Sequence, residues 1–305
     1  MTRFAISIPQ YFGDGAFDPA AFRAHLARAE ALGFEGAWAG EQVLGTKPHL
    51  GPIEAMTYAA ACTERLRLGC AVLVAPLYSP VHLAKSLSSL DQLSRGRVEV
   101  GVGTGGRFRP FAAFGVDPAG LVARFTEELA LMKALWTEPE VTFAGRFWQL
   151  EGAAMEPKPF QKPHPPIWFG GSHPDAVRRA VRLGDGFFGA GSQTTASFAG
   201  QVRLVREELA RAGRDGFRIA KRVYIGVDDD AGRARRRVAA GLEELYGYFR
   251  MRELEAVAVA GTPDDCVRGL REVATAGAGM ILLNPLYDDR EQMERLAADV
   301  MPHVA

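Results

Sequence analysis

Apolar strand-like runs alternate with helix-like runs along nearly the whole 305-residue chain, and this alternation restricts the fold more than any other feature. Residues 4–9 read as a strand and 19–32 as an amphipathic helix stopped by Gly33. The pair recurs as 34–40 with 54–64, as 66–74 with 80–93, and as 98–103 with 121–136. After an interruption it resumes as 167–170 with 174–183, 186–190 with 197–212, 218–227 with 263–276, and 278–284 with 290–300. Short runs that are almost wholly apolar, such as 66–74 with Arg67 as its one charge, are what strands covered on both faces require. Eight such units predict an α/β fold of the (β/α)8 TIM-barrel type, one domain over 1–305. Two stretches break the rhythm and are expected to be insertions: 138–163, with a short hairpin in 141–148, and 231–260, which reads as helical. The competing fold, a doubly wound open sheet, usually carries G-x-G-x-x-G in its first strand–helix turn, and residues 9–15 lack it.

Composition narrows the partners. Lys+Arg and Asp+Glu both number 36, so the basic excess of a nucleic-acid binder is missing, and the run from Arg233 to Arg237 reads as a solvated helix face. Cys62, Cys70 and Cys266 are odd in number and scattered, which suits a reducing cytoplasm better than a disulfide framework. The chain enters a strand pattern at its start without the features of a signal peptide. No uncharged apolar run reaches the ~18 residues that a membrane span needs. The expectation is a cytoplasmic protein with no membrane or nucleic-acid partner.

In a barrel of this kind the chemistry belongs to the carboxyl ends of the strands. Two of those ends are rich in glycine: Gly101, Gly103, Gly105 and Gly106 after one strand, and Gly170-Gly171-Ser172-His173 after another. Small residues there let a ligand approach the backbone. The second run leads into a helix beginning at Pro174, whose free N–H groups attract anions; Ser172 is a candidate for that role, for the helix cap, or for both. Arg107-Phe108 stands where a phosphate-binding loop of the Walker type needs Gly-Lys-Ser/Thr. Glu41-Gln42 closes the second strand, where a carboxylate can act as general acid or base, bind a flavin ring, or sit in a rim ion pair. His49 and His82 are isolated and read as surface or capping residues. No pair of His, Asp, Glu or Cys has metal-ligand spacing, and neither Ser79 nor Ser172 lies in a nucleophile elbow.

Ala31-Leu32-Gly33-Phe34-Glu35-Gly36-Ala37-Trp38 with Glu41 begins a series of motifs that continues through Leu66-Arg67-Leu68-Gly69, Pro80-Val81-His82-Leu83-Ala84-Lys85 and Leu90-Asp91-Gln92-Leu93-Ser94-Arg95-Gly96-Arg97. It goes on through Gly101-Val102-Gly103-Thr104-Gly105, Pro165-Pro166-Ile167 with Gly170-Gly171, Leu183-Gly184-Asp185-Gly186-Phe187, and Gly261-Thr262-Pro263. In order and spacing these resemble the luciferase-like flavin oxidoreductases, the barrel superfamily of bacterial luciferase, alkanesulfonate monooxygenases and deazaflavin-dependent enzymes. The resemblance implies a cis peptide at Ala71–Val72, bulging under the ring of the cofactor. It implies Thr104 near the cofactor's polar edge or tail, Gly170, Gly171, Ser172 and His173 at its phosphate, and a homodimer. Two features depart from relatives: Gln42 stands where many have His, and Gly106 where the sugar-phosphate dehydrogenases have an acid.

The activity so implied is hydride transfer between coenzyme F420 and a small organic substrate. One alternative is an FMN-dependent monooxygenase served by a separate reductase; the other is a flavin-binding protein with impaired catalysis. Glu41 and Gln42 are the catalytic candidates, with Tyr78 and His49 as further proton donors from the loops. Residues 11–15, 44–52, 107–114 and 231–260 are expected to shape a largely apolar substrate pocket, being rich in Phe and Tyr.

Overall fold

The computed structural model describes residues 2–13, 15–106, 111–246 and 254–304. The first half contains β1 (Arg3–Ser7), α1 (Pro19–Ala31), β2 (Gly36–Ala39), α2 (Pro52–Cys62), β3 (Arg67–Cys70), β4 (Leu73–Val74), α3 (Pro80–Leu93), β5 (Val98–Gly103) and α4 (Leu121–Thr137). An antiparallel hairpin, β6 (Val141–Ala144) and β7 (Gln149–Ala153), interrupts the alternation. The second half contains β8 (Ile167–Gly170), α5 (Pro174–Leu183), β9 (Gly186–Gly189), α6 (Thr195–Ala212), β10 (Arg218–Val227), α7 (Ala231–Tyr246), β11 (Ala258–Gly261), α8 (Pro263–Thr275), β12 (Met280–Pro285) and α9 (Asp289–Arg295).

Parallel pairing runs β1, β2, β3 with β4, β5, β8, β9, β10, β12 and back to β1, closing an eight-stranded barrel with helices outside. Local chemistry starts and stops these elements. Asp18 caps α1, its carboxylate accepting from the N–H groups of Ala20 and Ala21 ahead of Pro19. Thr262 and Asp265 form a reciprocal capping box on α8.

Four expectations are corrected. The third strand is not continuous over 66–74: it breaks between Cys70 and Leu73. The second strand of the hairpin lies at 149–153, beyond Trp148. The last helix leaves α geometry after Arg295 and finishes in a wider turn over 296–300. The segment 231–260 is helical at its start, but it ends in β11. That strand pairs with Tyr224 to Val227 of β10, whereas β9 pairs with Arg218 to Lys221. The ten-residue β10 is long enough to serve two neighbours on one edge, and pairing between distant segments overrode the helical pattern. Within 231–260, residues 247–253 lie outside the described residues.

The barrel's interior is aromatic. Trp38, Trp168 and Phe188 pack with ring centroids 4.8–5.9 Å apart, joined by Ala5, Ala220, Met280 and Leu282. Glycine makes room for both indoles: a Cβ at Gly69 would lie 2.5 Å from Trp38, and one at Gly186 2.5 Å from Trp168. Glu99, also buried, accepts from Trp168 Nε1 at 2.5 Å and pairs with Arg67 and Arg218. Its charge is thus offset by two guanidinium groups.

Candidate functional site

The break in the third strand is the centre of the mouth. The Ala71–Val72 peptide is cis, at the bond the resemblance implies. Val72 occupies a cradle cut by glycines: a Cβ at Gly103 would stand 2.9 Å from its Cγ2, and one at Gly170 2.8 Å from its Cγ1. A Cβ at Gly101 would meet the carbonyl oxygen of Cys70 at 1.9 Å. The glycine mouths were expected to admit a ligand; the described neighbours show them making room for the chain's own bulge.

Glu41 holds this bulge from the side of β2. Its Oε2 accepts from the N–H of Val74 and its Oε1 from the hydroxyl of Tyr78. Burial, followed by the charge of Glu41, pushes the Tyr78 hydroxyl far above the usual tyrosine range. The proton between them therefore resides on Tyr78.

Gln42 takes a different partner, accepting at Oε1 from the hydroxyl of Tyr11 at 2.7 Å. Tyr11 forms an antiparallel bridge with His49, and the rings lie 4.3 Å apart. His49 is therefore part of the mouth, contrary to its reading as a surface or capping residue. Burial lowers its proton affinity, and its Nδ1 is enclosed without a partner. His82 is exposed on α3. Gln10 pins the loop after β2: its Nε2 donates to the carbonyls of Gly40 (3.0 Å) and Leu50 (2.8 Å), and its Oε1 accepts from Gly40 N–H at 2.6 Å. An ion pair between Lys47 and Glu244 then ties that loop to α7, so two of the expected substrate loops meet. Of the third, residues 107–110 lie outside the described residues, as does Asp14 in the first.

The rim after β8 is ordered by a residue the sequence reading missed. Gln201 on α6, buried, donates from Nε2 to the carbonyls of Gly171 (3.3 Å) and Ser172 (3.2 Å). In a planar trans peptide the N–H points opposite to the carbonyl. Gln201 therefore turns the N–H groups of Ser172 and His173 away from α6. The cap of α5 is His173, whose Nδ1 accepts from Asp175 N–H at 3.2 Å, and not Ser172. Ser172 and His173 are exposed. Gly171 has φ +154°, and a Cβ there would lie 2.7 Å from that of Ala176, so this glycine is needed by the fold itself. Thr104 stands half-buried at the end of β5, its hydroxyl reaching the carbonyl of Gly105 at 3.5 Å.

Two neighbours on β10 face opposite ways. Lys221 is buried, donates from Nζ to the carbonyls of Ala190 (3.0 Å) and Gln193 (2.8 Å), and is pushed down to about 8 by burial. Arg222 reaches across the barrel, donating from Nη2 to the carbonyl of Ala71 at 2.9 Å. Beside it Tyr246 shares a 2.6 Å hydrogen bond with Tyr224. Strand alternation counted from Ala220 is the sequence signal that places Arg222 inward; Gln201, on a helix outside the barrel, has no comparable signal.

Among the described residues no group of three His, Cys, Asp or Glu side chains is placed to hold a metal ion, and no helix is long and apolar enough to cross a membrane. Clefts of about 710 and 600 Å³ lie on the outer face of α9 and between α1 and α9. Neither is lined by Val72, Glu41 or Arg222.

The profile of the family described as luciferase-like monooxygenase matches residues 2–280. The chain is 28% identical over 322 aligned residues to the F420-dependent glucose-6-phosphate dehydrogenase of Intrasporangium calvum, covering 94% of this chain and 95% of that one. It is 34% identical over 156 residues to the FMNH2-dependent dimethylsulfone monooxygenase of Pseudomonas putida, covering 50% of this chain and 42% of that one. The solved structure of an F420-dependent secondary alcohol dehydrogenase, in complex with an F420–acetone adduct, superposes with a TM-score of 0.85. That match covers 100% of this chain and 99% of the other at 20% identity, and it speaks for the fold.

Proposed function

The chain belongs to the luciferase-like monooxygenase family of flavin- and deazaflavin-dependent oxidoreductases, and from that premise we propose that it transfers hydride between coenzyme F420 and a small, largely apolar organic substrate. One observation carries the reading: Gly170 both abuts Val72 at the bulge and opens the rim whose N–H groups Gln201 turns outward. A ring platform and an anion-binding turn are thereby adjacent, which suits a ligand made of a flat ring and a phosphate. The likeness to the F420-dependent dehydrogenase, which extends over 94% of the chain, supports the choice of cofactor.

The residues present fit such a group. The N–H groups of Gly171, Ser172 and His173 would take the phosphate, helped by the dipole of α5. Thr104 would meet the polar edge or tail of the cofactor. Ala71 and Val72 would back the ring, with Glu41 and Tyr78 fixing the bulge from behind. The deazaflavin, when bound, supplies the hydride chemistry. Gln42 cannot move a proton near neutrality, but it orients the hydroxyl of Tyr11 at the mouth. Exposed Val43 and Leu44 beside it offer an apolar wall to the substrate. The three cysteines are free thiols, which supports a cytoplasmic setting, and a homodimer would cover the exposed Leu93 and Phe160.

A second reading, a monooxygenase using reduced FMN from a separate reductase, draws on the 34% identity to the FMNH2-dependent enzyme over half the chain, and on Gln42 and Gly106. Anaerobic titration with F420 and FMN, each oxidised and reduced, tests both. F420 binding more tightly than FMN is the expected result. Tight binding of reduced FMN, with oxygen consumed on admission of air, would replace the first reading by the second. Binding of neither cofactor would remove both.

A further inference from the structure

Strand alternation stacks a second layer above the aromatic floor of the barrel. Two residues beyond Trp38, Trp168 and Phe188 stand Gly40, Gly170 and Ala190, and Ala71 lies on the same level at the bulge. These small residues leave a hollow. Arg222, two residues beyond Ala220, is the large side chain that enters it: its Nη2 bonds the Ala71 carbonyl, and it lies beside the Cα of Gly40 and Gly191. Its Nε is enclosed without a partner, and among the described residues it makes no ion pair. The contrast with the opposite end of the barrel is direct, because there Arg67 and Arg218 share Glu99. Arg222 is half-buried, and a peptide carbonyl does not neutralise its guanidinium, so a ligand seated at the mouth meets a positive charge with no ion-pair partner among the described residues.

We propose that Arg222 supplies the positive charge that holds the negative charge of the bound cofactor's ring. The inference rests on the cofactor reading above, and it adds a residue and an electrostatic role to it. The ligand chemistry is that of an anionic heteroaromatic ring. Reduced FMN is such an anion near neutrality, and the oxidised deazaflavin is another through its ionised ring hydroxyl. The bulge carbonyl that Arg222 grips belongs to the platform under that ring, so the charge is delivered from the ring's own support. Charge placed beside such a ring is a recognised means of tuning its electronics.

The test compares the wild-type protein with Arg222→Gln, which is polar but neutral, and Arg222→Lys, which keeps the charge. The probes are FMN, titrated anaerobically in both redox states, and oxidised F420, whose visible band reports the ionised fraction of its ring near the hydroxyl's own pKa. Wild type should favour reduced over oxidised FMN, and Arg222→Gln should cut that preference at least about five-fold, a typical coupling between linked equilibria. The ionised fraction of bound F420 should fall in the same variant, and Arg222→Lys should restore most of both effects. Should the Gln variant not fold, Arg222→Met, which removes the polar group altogether, takes its place. A neutral variant that binds the cofactor with the wild-type redox preference and ionised fraction overturns the assignment and leaves the cofactor reading intact. A wild-type protein that binds neither cofactor overturns both.

Discussion

Tyr78 donates its hydroxyl proton to Glu41, linking the approach to α3 with the end of β2 across the barrel mouth. Because the second oxygen of Glu41 accepts from Val74 N–H, the carboxylate fixes the strand segment that follows the bulge. Glu41→Gln would present an amide N–H₂ to one of these two donors. It should therefore lower stability by about 1–3 kcal/mol, the scale of a buried polar group left unmatched, and weaken cofactor binding as well. Tyr78→Phe should do the same more mildly. Denaturant unfolding and cofactor titration check this; a Glu41→Gln protein of wild-type stability and affinity that has lost turnover would reassign Glu41 from holding the bulge to proton transfer.

At the rim, Gly171→Asp is a poor probe, since its φ of +154° and the contact with Ala176 damage the fold whatever the ligand does. Gln201→Leu is cleaner. It releases the carbonyls of Gly171 and Ser172 and also removes an Oε1 that is enclosed without a partner, so the two stability effects oppose each other. We expect cofactor affinity to drop about ten-fold, ~1.4 kcal/mol, with little change in melting temperature. Unchanged affinity in a folded Gln201→Leu protein would show that the outward N–H groups do not hold the cofactor.

The cradle of Val72 predicts non-additivity. In Gly103→Ala the new methyl would stand 2.9 Å from Val72 Cγ2, closer than packed atoms allow, and should cost about 1–3 kcal/mol. Val72→Ala alone should also destabilise, by leaving a void. The double variant should be more stable than the sum of the two losses implies, because each change relieves the other. Strict additivity in chemical denaturation would mean that the two side chains do not compete for the same space.

Glu128 on α4 predicts a pH dependence. It is fully buried, neither carboxylate oxygen has a partner, and burial pushes it from 4.5 up to about 8. Arg124, one turn earlier, stacks over Trp148 at 4.5 Å and leaves Glu128 without a bonded partner. The folded state thus keeps a proton that the unfolded chain releases above 4.5. Stability present below that pH should be lost as pH rises through about 8. The slope is about 1.4 kcal/mol per pH unit at most. Glu128→Gln should flatten this part of the profile and melt higher than wild type at the alkaline end. Parallel profiles for the two proteins across the window would contradict it.

Much of the scaffold was legible locally. The bounds of α3, β5, β8, α5 and β10 are read to the residue, the first four from apolar periodicity beside proline or glycine, as in Pro80–Leu93 and Val98–Gly103. The positions of Glu41, Thr104 and the Gly170-Gly171 turn at strand ends were readable for the same reason, since a barrel assigns its mouth by strand direction alone. The cis bond at Ala71–Val72 and the family came from motif order.

The sequence by itself therefore determined the alternation, the barrel and the end of it at which Glu41, Thr104 and Gly170 stand, because periodicity and chain punctuation act over neighbouring residues. The tertiary structure alone decided what occupies that end. It filled the glycine cradle with Val72, gave Glu41 to Tyr78 and Val74, seated His49 on Tyr11, and made β11 a strand on the far half of β10. It also set Gln201 behind the rim, 30 residues from Gly171, and Arg222 under the bulge, 151 residues from Ala71. Contacts between residues so far apart are fixed by closure of the barrel and by side-chain packing, and no local pattern of residues encodes them.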